Sequence, residues 1–446
     1  MKKKVDPRLP SGFRDYLPEE MIVREQMLDT IRDVFKTFGF LPLETSIIER
    51  EEVLTGGDPD FKKQIFGVGI KGQKEKLALR FDLTVPLARV VATRRNELHQ
   101  PFKRYEMGKT WRGERAQAGR FKEFLQCDAD IVGSESAASD AEILALVYEV
   151  IHALEVPRFL IHVNSRKILN GLSVFAGFPE SKTHHVLRAI DKLDKQGWAS
   201  VAKELEESEG GKLSKTAIKK IKEFLDSAKA RAPLVAIKEL LAGSPISREG
   251  VKEIELIGKH LEALGVPESA WVFDPSIARG LGYYTGMVFE TILLAAPEFG
   301  SVCSGGRYDG LVSSFSSMSV PAVGMSVGLD RLFSALTKLK QVPSLGKRAE
   351  TIVLNFDPQT EYECETLATE LRRAGIATDF YYGGEKTLKG QLAYAAKANY
   401  HVVLILGSEE RKKGLVQIKD MRRHSQENVP LREVSETIRR LCIESG

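Results

Sequence analysis

The chain has 446 residues, which predicts about three domains and room for sizeable cores. With 43% apolar and 28% charged residues it has the composition of an ordinary soluble protein. The net charge of +4 permits nucleic-acid binding without demanding it. Between residues 18 and 38, Val23, Met27, Ile31, Val34, Phe35 and Phe38 recur at helical spacing, with Pro18 suited to the first turn and Gly39 to the cap. Residues 40–49 read as one strand. Residues 60–90 predict a hairpin, a strand at 76–81 and a helix at 85–92. Two strands follow across 102–132, joined by an arginine-rich turn, then a helix at 135–154 and a strand at 159–163.

From about 170 to 265 long amphipathic helices replace strands, which predicts a helical insertion. Its lysine-rich stretch 212–224 reads as a solvated face. Strands return at 271–273, 286–294 and 300–304, and a strand passes into a helix across 321–339. After a linker at 341–347, strands at 351–356, 377–382, 401–407 and 415–420 alternate with helices at 361–374, 386–398 and 431–441, a separate α/β domain. Cys127, Cys303, Cys364 and Cys442 are too scattered for a zinc knuckle or a disulfide framework, which points to a reducing, cytoplasmic setting. The first residues carry positive charge but no apolar run, so they do not read as a secretory signal. No stretch approaches the roughly twenty apolar residues of a membrane helix.

The segment from Lys109 to Asp130 carries the most chemistry. Arg112, Arg115 and Arg120 surround a turn holding Gly113 and Gly119, and Gln126, Asp128 and Asp130 follow on a strand. A guanidinium donates two parallel hydrogen bonds and keeps its charge, so it suits phosphate. The nearby carboxylates need a cation or a donor instead, which suggests a nucleotide beside a small amino-bearing substrate. Gly67-Val-Gly-Ile-Lys-Gly72 matches a dinucleotide-loop pattern but leads into a strand, so a hairpin turn is the better reading. Thr84 reads as a helix N-cap with Pro86 in the first turn, leaving Asp82 free to accept from an ammonium group. Arg279-Gly-Leu-Gly-Tyr-Tyr284 reads as a binding loop whose two tyrosines point one inward and one outward. Ser304-Gly-Gly-Arg-Tyr-Asp-Gly-Leu311 reads as a turn that can expose backbone to a ligand. Arg331 sits near the start of a helix, where its charge opposes the dipole and is better explained by an anion nearby.

In this order the motifs resemble the class II aminoacyl-tRNA synthetases and, within them, the histidyl-tRNA synthetase family, over nearly the whole chain. Residues 109–130 resemble the second class motif and 324–332 the third. The two glycine- and tyrosine-bearing segments resemble the motifs peculiar to the histidine enzymes. Asp82-Leu-Thr, Gln126-Cys-Asp-Ala-Asp and Tyr283-Tyr-Thr-Gly look like the archaeal and eukaryotic-like branch. Ser46 stands where the first class motif usually has proline, and Gly282 where the family usually has aspartate.

The resemblance implies an α+β fold, an antiparallel sheet flanked by helices. It also implies a catalytic domain in two parts, 1–169 and 266–340, split by a helical insertion at 170–265, and an α/β anticodon-binding domain at 347–446. It implies a cytoplasmic homodimer that activates L-histidine with ATP and Mg²⁺ and passes it to tRNA(His). Arg112, Arg279 and Arg331 would be catalytic. Arg112, Glu114, Arg120, Phe124 and Arg331 would bind ATP. Asp82, Thr84 and Gln126 would take the α-ammonium. Asp130 and Tyr284 would read the imidazole, with Tyr283 and Tyr308 shaping the pocket. Arg411, Lys412, Lys413, Arg422 and Arg423 would contact tRNA. No residue set is expected to ligate a metal. The competing expectation is a catalytically inactive, synthetase-like regulator or sensor binding histidine or tRNA. The presence of Arg112, Arg279 and Arg331 argues against it.

Overall fold

The computed structural model describes residues 5–56, 62, 64–69, 71–72, 74–114, 119–208, 212–278, 283–341 and 350–443, apart from the side chains of 194, 195, 442 and 443. The chain divides into two compact units, Met1–Ser344 and Leu345–Gly446.

The first unit opens with helix α1 (Pro18–Thr37), whose Val23, Met27, Ile31 and Phe35 form one buried stripe. Gly39 follows at φ +78°, a left-handed conformation that costs glycine least. Then come β1 (Leu41–Pro42), β2 (Ile48–Arg50), α2 (Glu51–Thr55), β3 (Gly67–Val68), β4 (Leu77–Leu79) and α3 (Thr84–Arg94). Residues 40–49 are thus two short strands. Between them the Thr45 backbone N–H donates to the Glu106 carboxylate (3.0 Å), and Arg80 Nη1 donates to the Thr45 carbonyl (2.9 Å). Side chains satisfy the backbone there, so the chain crosses between two sheets without laddering. β3 pairs antiparallel with β4, so the glycine-rich segment belongs to a hairpin and not to a phosphate loop.

The long hairpin β5 (Phe102–Trp111) and β6 (Glu123–Val132) leads to α4 (Ala137–Ala153) and β7 (Phe159–Ser165). Among the described residues seven helices follow: α5 (Arg166–Asn170), α6 (Leu172–Ala176), α7 (Thr183–Ile190), α8 (Leu193–Glu207), α9 (Lys215–Asp226), α10 (Pro233–Leu240) and α11 (Pro245–Ala263). The unit closes with β8 (Trp271–Phe273), β9 (Met287–Leu293), β10 (Ser301–Arg307), β11 (Ala322–Gly328) and α12 (Leu329–Leu339). The main sheet runs β1-β5-β6-β11-β10-β9-β7-β8, antiparallel except for its two edge pairs. One apolar core joins α1, α4, the sheet and the helical stretch, with Ile161, Ile168, Val251 and Ile254 all within it.

The second unit contains β12 (Thr351–Val353), α13 (Glu361–Arg373), β13 (Thr378–Phe380), α14 (Leu388–Lys397), β14 (Val402–Ile405), α15 (Ser408–Lys413), β15 (Leu415–Asp420), β16 (Ser425–Pro430) and α16 (Val434–Ile443). Its sheet runs β13-β12-β14-β15-β16, parallel across the first three strands and antiparallel beyond. Helix α15 and strand β16 were not expected. Both are short and polar, and ladder pairing with β15 makes β16 a strand.

Candidate active site

Strand β6 separates two chemistries by its two-residue period. Cys127, Ala129 and Ile131 point into the apolar core, so Gln126, Asp128 and Asp130 share the opposite face. Small residues of β11 lie across from them: Gly328 from Gln126, Ser326 from Asp128 and Gly324 from Asp130. A cavity of 410 Å³ opens over this face. Asp82, Thr84, Arg112, Glu114, Arg120, Phe124, Gln126, Asp130, Tyr283, Tyr284, Tyr308 and Arg331 all line it, from five separate stretches of chain. Arg279 and Gly282 lie outside the described residues, as does Arg115.

The deep end is a charge ladder. Arg80 Nη1 bonds Glu106 Oε1 (2.7 Å), Arg104 Nη1 lies 3.8 Å from Glu106 Oε2, and Arg104 Nη2 lies 2.8 Å from Asp130 Oδ2. This last contact is close but poorly aligned for a hydrogen bond, and Oδ2 accepts none. The Tyr308 hydroxyl donates to Asp130 Oδ1. Two guanidinium and two carboxylate groups therefore balance within the wall. Burial raises the Asp130 pKa, opposed by Arg104 and the Tyr308 hydroxyl.

Asp82 and Asp128 are left over. Asp82 Oδ1 accepts from the Val85 backbone N–H (3.0 Å), so Asp82 caps α3 and Thr84 does not: Thr84 is already the first helical residue. Asp82 Oδ2 has no partner. Burial pushes Asp82 up to about 6, held back by the Val85 N–H and Arg112. Asp128 is pushed up to about 8, by burial first, against the pull of Arg104 and the Ser326 hydroxyl. A pocket in which two buried acids each keep an oxygen without a hydrogen-bond partner, beside a balanced ladder, suits a cation or a cluster of N–H donors.

The mouth has the opposite character. Arg112 Nε donates to the Phe81 carbonyl (2.9 Å), and its guanidinium carbon sits 5.2 Å from the Phe124 ring centroid. Arg331, the third residue of α12, donates through Nη1 to the Ser301 carbonyl of β10. Its neighbour Asp330 is buried and fixes the helix start, accepting from Arg24 (2.9 Å), from the Leu125 backbone N–H (2.6 Å) and from the Tyr16 hydroxyl. Glu114 is exposed and lies 3.5 Å from Arg120.

Two further sequence expectations change. Tyr283 and Tyr284 do not alternate, because β9 begins only at Met287; both rings are half-buried, 4.9 Å apart, and line the cavity. The segment 304–307 is strand β10, not a turn. A Cβ on Gly306 would meet the Met287 carbonyl at 2.4 Å and the Tyr284 ring at 3.0 Å, so that glycine makes room for the tyrosine. Arg307 points away from the cavity and is buried against Asp140 (2.9 Å) and the Ser134 carbonyl (2.8 Å), pinning β10 to the start of α4. Sequence reading left Asp128 without a role, though its place between Gln126 and Asp130 at strand period was visible.

The five basic residues expected to contact tRNA do not form one patch. Arg411, Lys412 and Lys413 end α15 before β15, whereas Arg422 and Arg423 follow β15, whose six residues span about 20 Å. Arg411 is paired with Glu363 (2.7 Å), Lys412 with Glu409 (3.1 Å), and Arg422 meets the His401 ring (2.9 Å). Among the described residues no group of three or more His, Cys, Asp or Glu side chains could hold a metal ion, and no helix is long and apolar enough to cross a membrane.

Comparison with known proteins agrees with this geometry. The model of the histidyl-tRNA synthetase family matches residues 12–332, and that of an anticodon-binding domain matches residues 350–441. A histidine–tRNA ligase of Wolinella succinogenes is 42% identical over 421 residues, 94% of each chain. One from Clostridium tetani is 39% identical over 98% of this chain and 100% of its own. The crystal structure of histidyl-tRNA synthetase from Nostoc superposes with a TM-score of 0.84 at 34% identity, covering 98% of this chain and all of that one. With match and fold both spanning the chain, it belongs to the histidyl-tRNA synthetase family.

Proposed function

We infer that the chain is a histidine–tRNA ligase. It activates L-histidine with ATP and transfers the histidyl group to the 3′ end of tRNA(His). The observation that carries this reading is the single cavity with two chemical ends: buried acceptors at depth and Arg112, Arg331 and Phe124 at the mouth.

In the first step a carboxylate oxygen of histidine bonds to the α-phosphorus of ATP and pyrophosphate leaves. In the second, a ribose hydroxyl of the terminal tRNA adenosine attacks the acyl carbon and AMP leaves. Charge spreads over phosphate oxygens in the first step, so fixed guanidinium groups are the main catalytic device. Arg112 holds the α-phosphate, joined by Arg279. Arg331 meets the γ-phosphate and covers one adenine face, Phe124 stacks on the other, and Glu114 accepts from the adenine amine. Arg120 adds positive charge for the phosphates. Mg²⁺, brought in with ATP as part of the substrate, would supply charge neutralisation at the phosphates.

Asp82, Thr84 and Gln126 take the α-ammonium. Asp130 and Tyr284 stand at the imidazole end, with Tyr283 and Tyr308 closing the walls. A pocket of buried acceptors rejects side chains without ring N–H groups, because those acceptors would stay unpaired. Residues 347–446 contact the anticodon arm, using Arg411, Lys412, Lys413, Arg422 and Arg423 on phosphates. The protein works in the cytoplasm as a homodimer. The exposed apolar Leu41, Ile47 and Ile48 on the crossing segment support a second copy there.

Pyrophosphate exchange into ATP, run with each of the twenty amino acids, tests the reading. Histidine alone should drive it. Exchange with another amino acid, or none from well-folded protein, would overturn it. Light scattering should give the mass of two chains, and a monomer would remove the dimer from the account.

A further inference from the structure

Residues 12–16, just before α1, form a strap beside the mouth of the cavity. Gly12 turns at φ +89°, where a Cβ would lie 2.9 Å from the Lys122 stem, and its carbonyl accepts from the Lys122 backbone N–H (2.8 Å). The Lys122 carbonyl in turn accepts from the Arg112 N–H (2.9 Å). Gly12 is therefore an extra rung at the base of the arginine turn. Phe13 meets the Phe66 ring edge-on at 5.9 Å. The Arg14 guanidinium carbon lies 4.5 Å from the Tyr16 ring centroid and 5.7 Å from that of Phe121, which lines the cavity.

At the other end of the strap the Tyr16 hydroxyl donates to Asp330 Oδ1, which also accepts from Arg24 Nη1 (2.9 Å). The Arg24 guanidinium carbon sits 3.8 Å from the Tyr16 ring centroid, and Phe333 meets that ring edge-on. Asp330 Oδ2 takes the N–H of Leu125, between Phe124 and Gln126 of the cavity wall, and Arg331 is the next residue of α12. Arg112 and Arg331 both lie past the ends of their strands, β5 and β11, where the main sheet's ladder has stopped. The strap reaches the support of each: Lys122 for Arg112, Asp330 for Arg331. Groups that bind a ligand in fixed geometry must be held within about 0.5 Å of their working positions.

We propose that Tyr16 is a positioning residue for nucleotide binding: through Asp330 at one end, and Gly12 on Lys122 at the other, the strap sets the spacing of Arg112 and Arg331 on the triphosphate. This deepens the ligase reading above and rests on it. Tyr16 acts through Asp330, not on the phosphates themselves. Its loss bears on ATP and not on histidine, whose acceptors lie deeper, on β6 and at Asp82.

Pyrophosphate exchange by the full-length protein, with ATP and histidine varied in turn, tests this. Tyr16→Phe keeps the ring and its packing on Arg14, Arg24 and Phe333 but removes the hydroxyl. Its KM for ATP should rise about three- to tenfold, up to the worth of one hydrogen bond to a charged group, while its KM for histidine stays within about twofold. Gly12→Ala, at the other end of the strap, should show the same split. Ile161→Val, in the apolar core, should lower the melting temperature and leave both KM values near wild type, which separates positioning from general loosening. Equal rises for both substrates in Tyr16→Phe, a rise for histidine alone, or no change in either overturns the proposal. An ATP-selective rise in Ile161→Val overturns it too. Should Tyr16→Phe fail to fold, Gly12→Ala is read by the same criteria. Wild-type protein without histidine-dependent exchange would overturn the ligase reading itself; a wild type that exchanges, beside a variant without the split, overturns only the strap.

Discussion

Gly324 on β11 stands across from Asp130 on β6, and a methyl group at its Cα would lie 1.9 Å from Asp130 Oδ1. The backbone carbonyl of Ala129 lies 3.0 Å from the same point, so the obstruction is not only a movable side chain. The absence of a side chain at 324 is what lets a carboxylate occupy the cavity wall. Gly324→Ala should cost about 1–3 kcal/mol as an overpacked site. It should also raise the KM for histidine by displacing Asp130 and Tyr308. Urea denaturation and exchange kinetics check both; a variant unchanged in both would mean that the wall relaxes freely.

Arg112 is aimed by its own bond to the Phe81 carbonyl and by the Phe124 ring beneath it. Arg112→Ala should lower the rate of histidine-dependent exchange by about 10²–10³-fold, the usual effect of removing one preorganised charge-stabilising donor. Arg112→Lys should recover little, because an ammonium lacks the planar fork. Full activity in the lysine variant would show that point charge alone suffices.

Asp82 and Asp128 have folded pKa values of about 6 and about 8, against an ordinary 3.8. An acid whose pKa is raised on folding holds its proton more tightly in the folded state. Its stabilising contribution is complete below the unfolded pKa and is lost as pH rises through the folded one. For Asp128 the window runs from about pH 4 to about pH 8, with a slope of at most about 1.4 kcal/mol per pH unit. The urea midpoint of ligand-free protein should therefore fall between pH 5 and 8, and Asp128→Asn should flatten that fall. A midpoint that climbs over the same range, in wild type and variant alike, contradicts the raised values.

In the second unit Gln391 is fully buried. It accepts from the Asn355 N–H (2.8 Å) and donates to the Asn355 and Glu385 carbonyls (2.6 and 2.8 Å). It bridges the end of β12 to the loop before α14. Gln391→Leu strands these backbone groups, at a cost of about 2–4 kcal/mol. Calorimetry should show an earlier transition and aminoacylation should fall, while histidine-dependent exchange, whose residues lie in the first unit, should persist. Loss of exchange would tie the chemistry to the second unit.

Much of this architecture was readable in advance. α1 was marked by Val23, Met27, Ile31 and Phe35, and β6 by apolar residues alternating with Gln126, Asp128 and Asp130, because burial on one face imposes period 3.6 or 2 on the residues themselves. Residues 40–49 misled because their backbone groups are satisfied by Glu106 and Arg80, far along the chain. Thr84 misled because Asp82, two residues earlier, reaches the same helix end.

The amino-acid sequence by itself determined the periodic elements, the family resemblance and the set of chemically able residues, since each of these is local or additive along the chain. Only the tertiary structure decided which of those residues stay available. Arg307 is engaged by Asp140 and one oxygen of Asp130 by Tyr308, while one oxygen of Asp82 and one of Asp128 stay without a hydrogen-bond partner, because a buried polar group takes its hydrogen bonds from whichever strands fold against it, and those neighbours are set by sheet register.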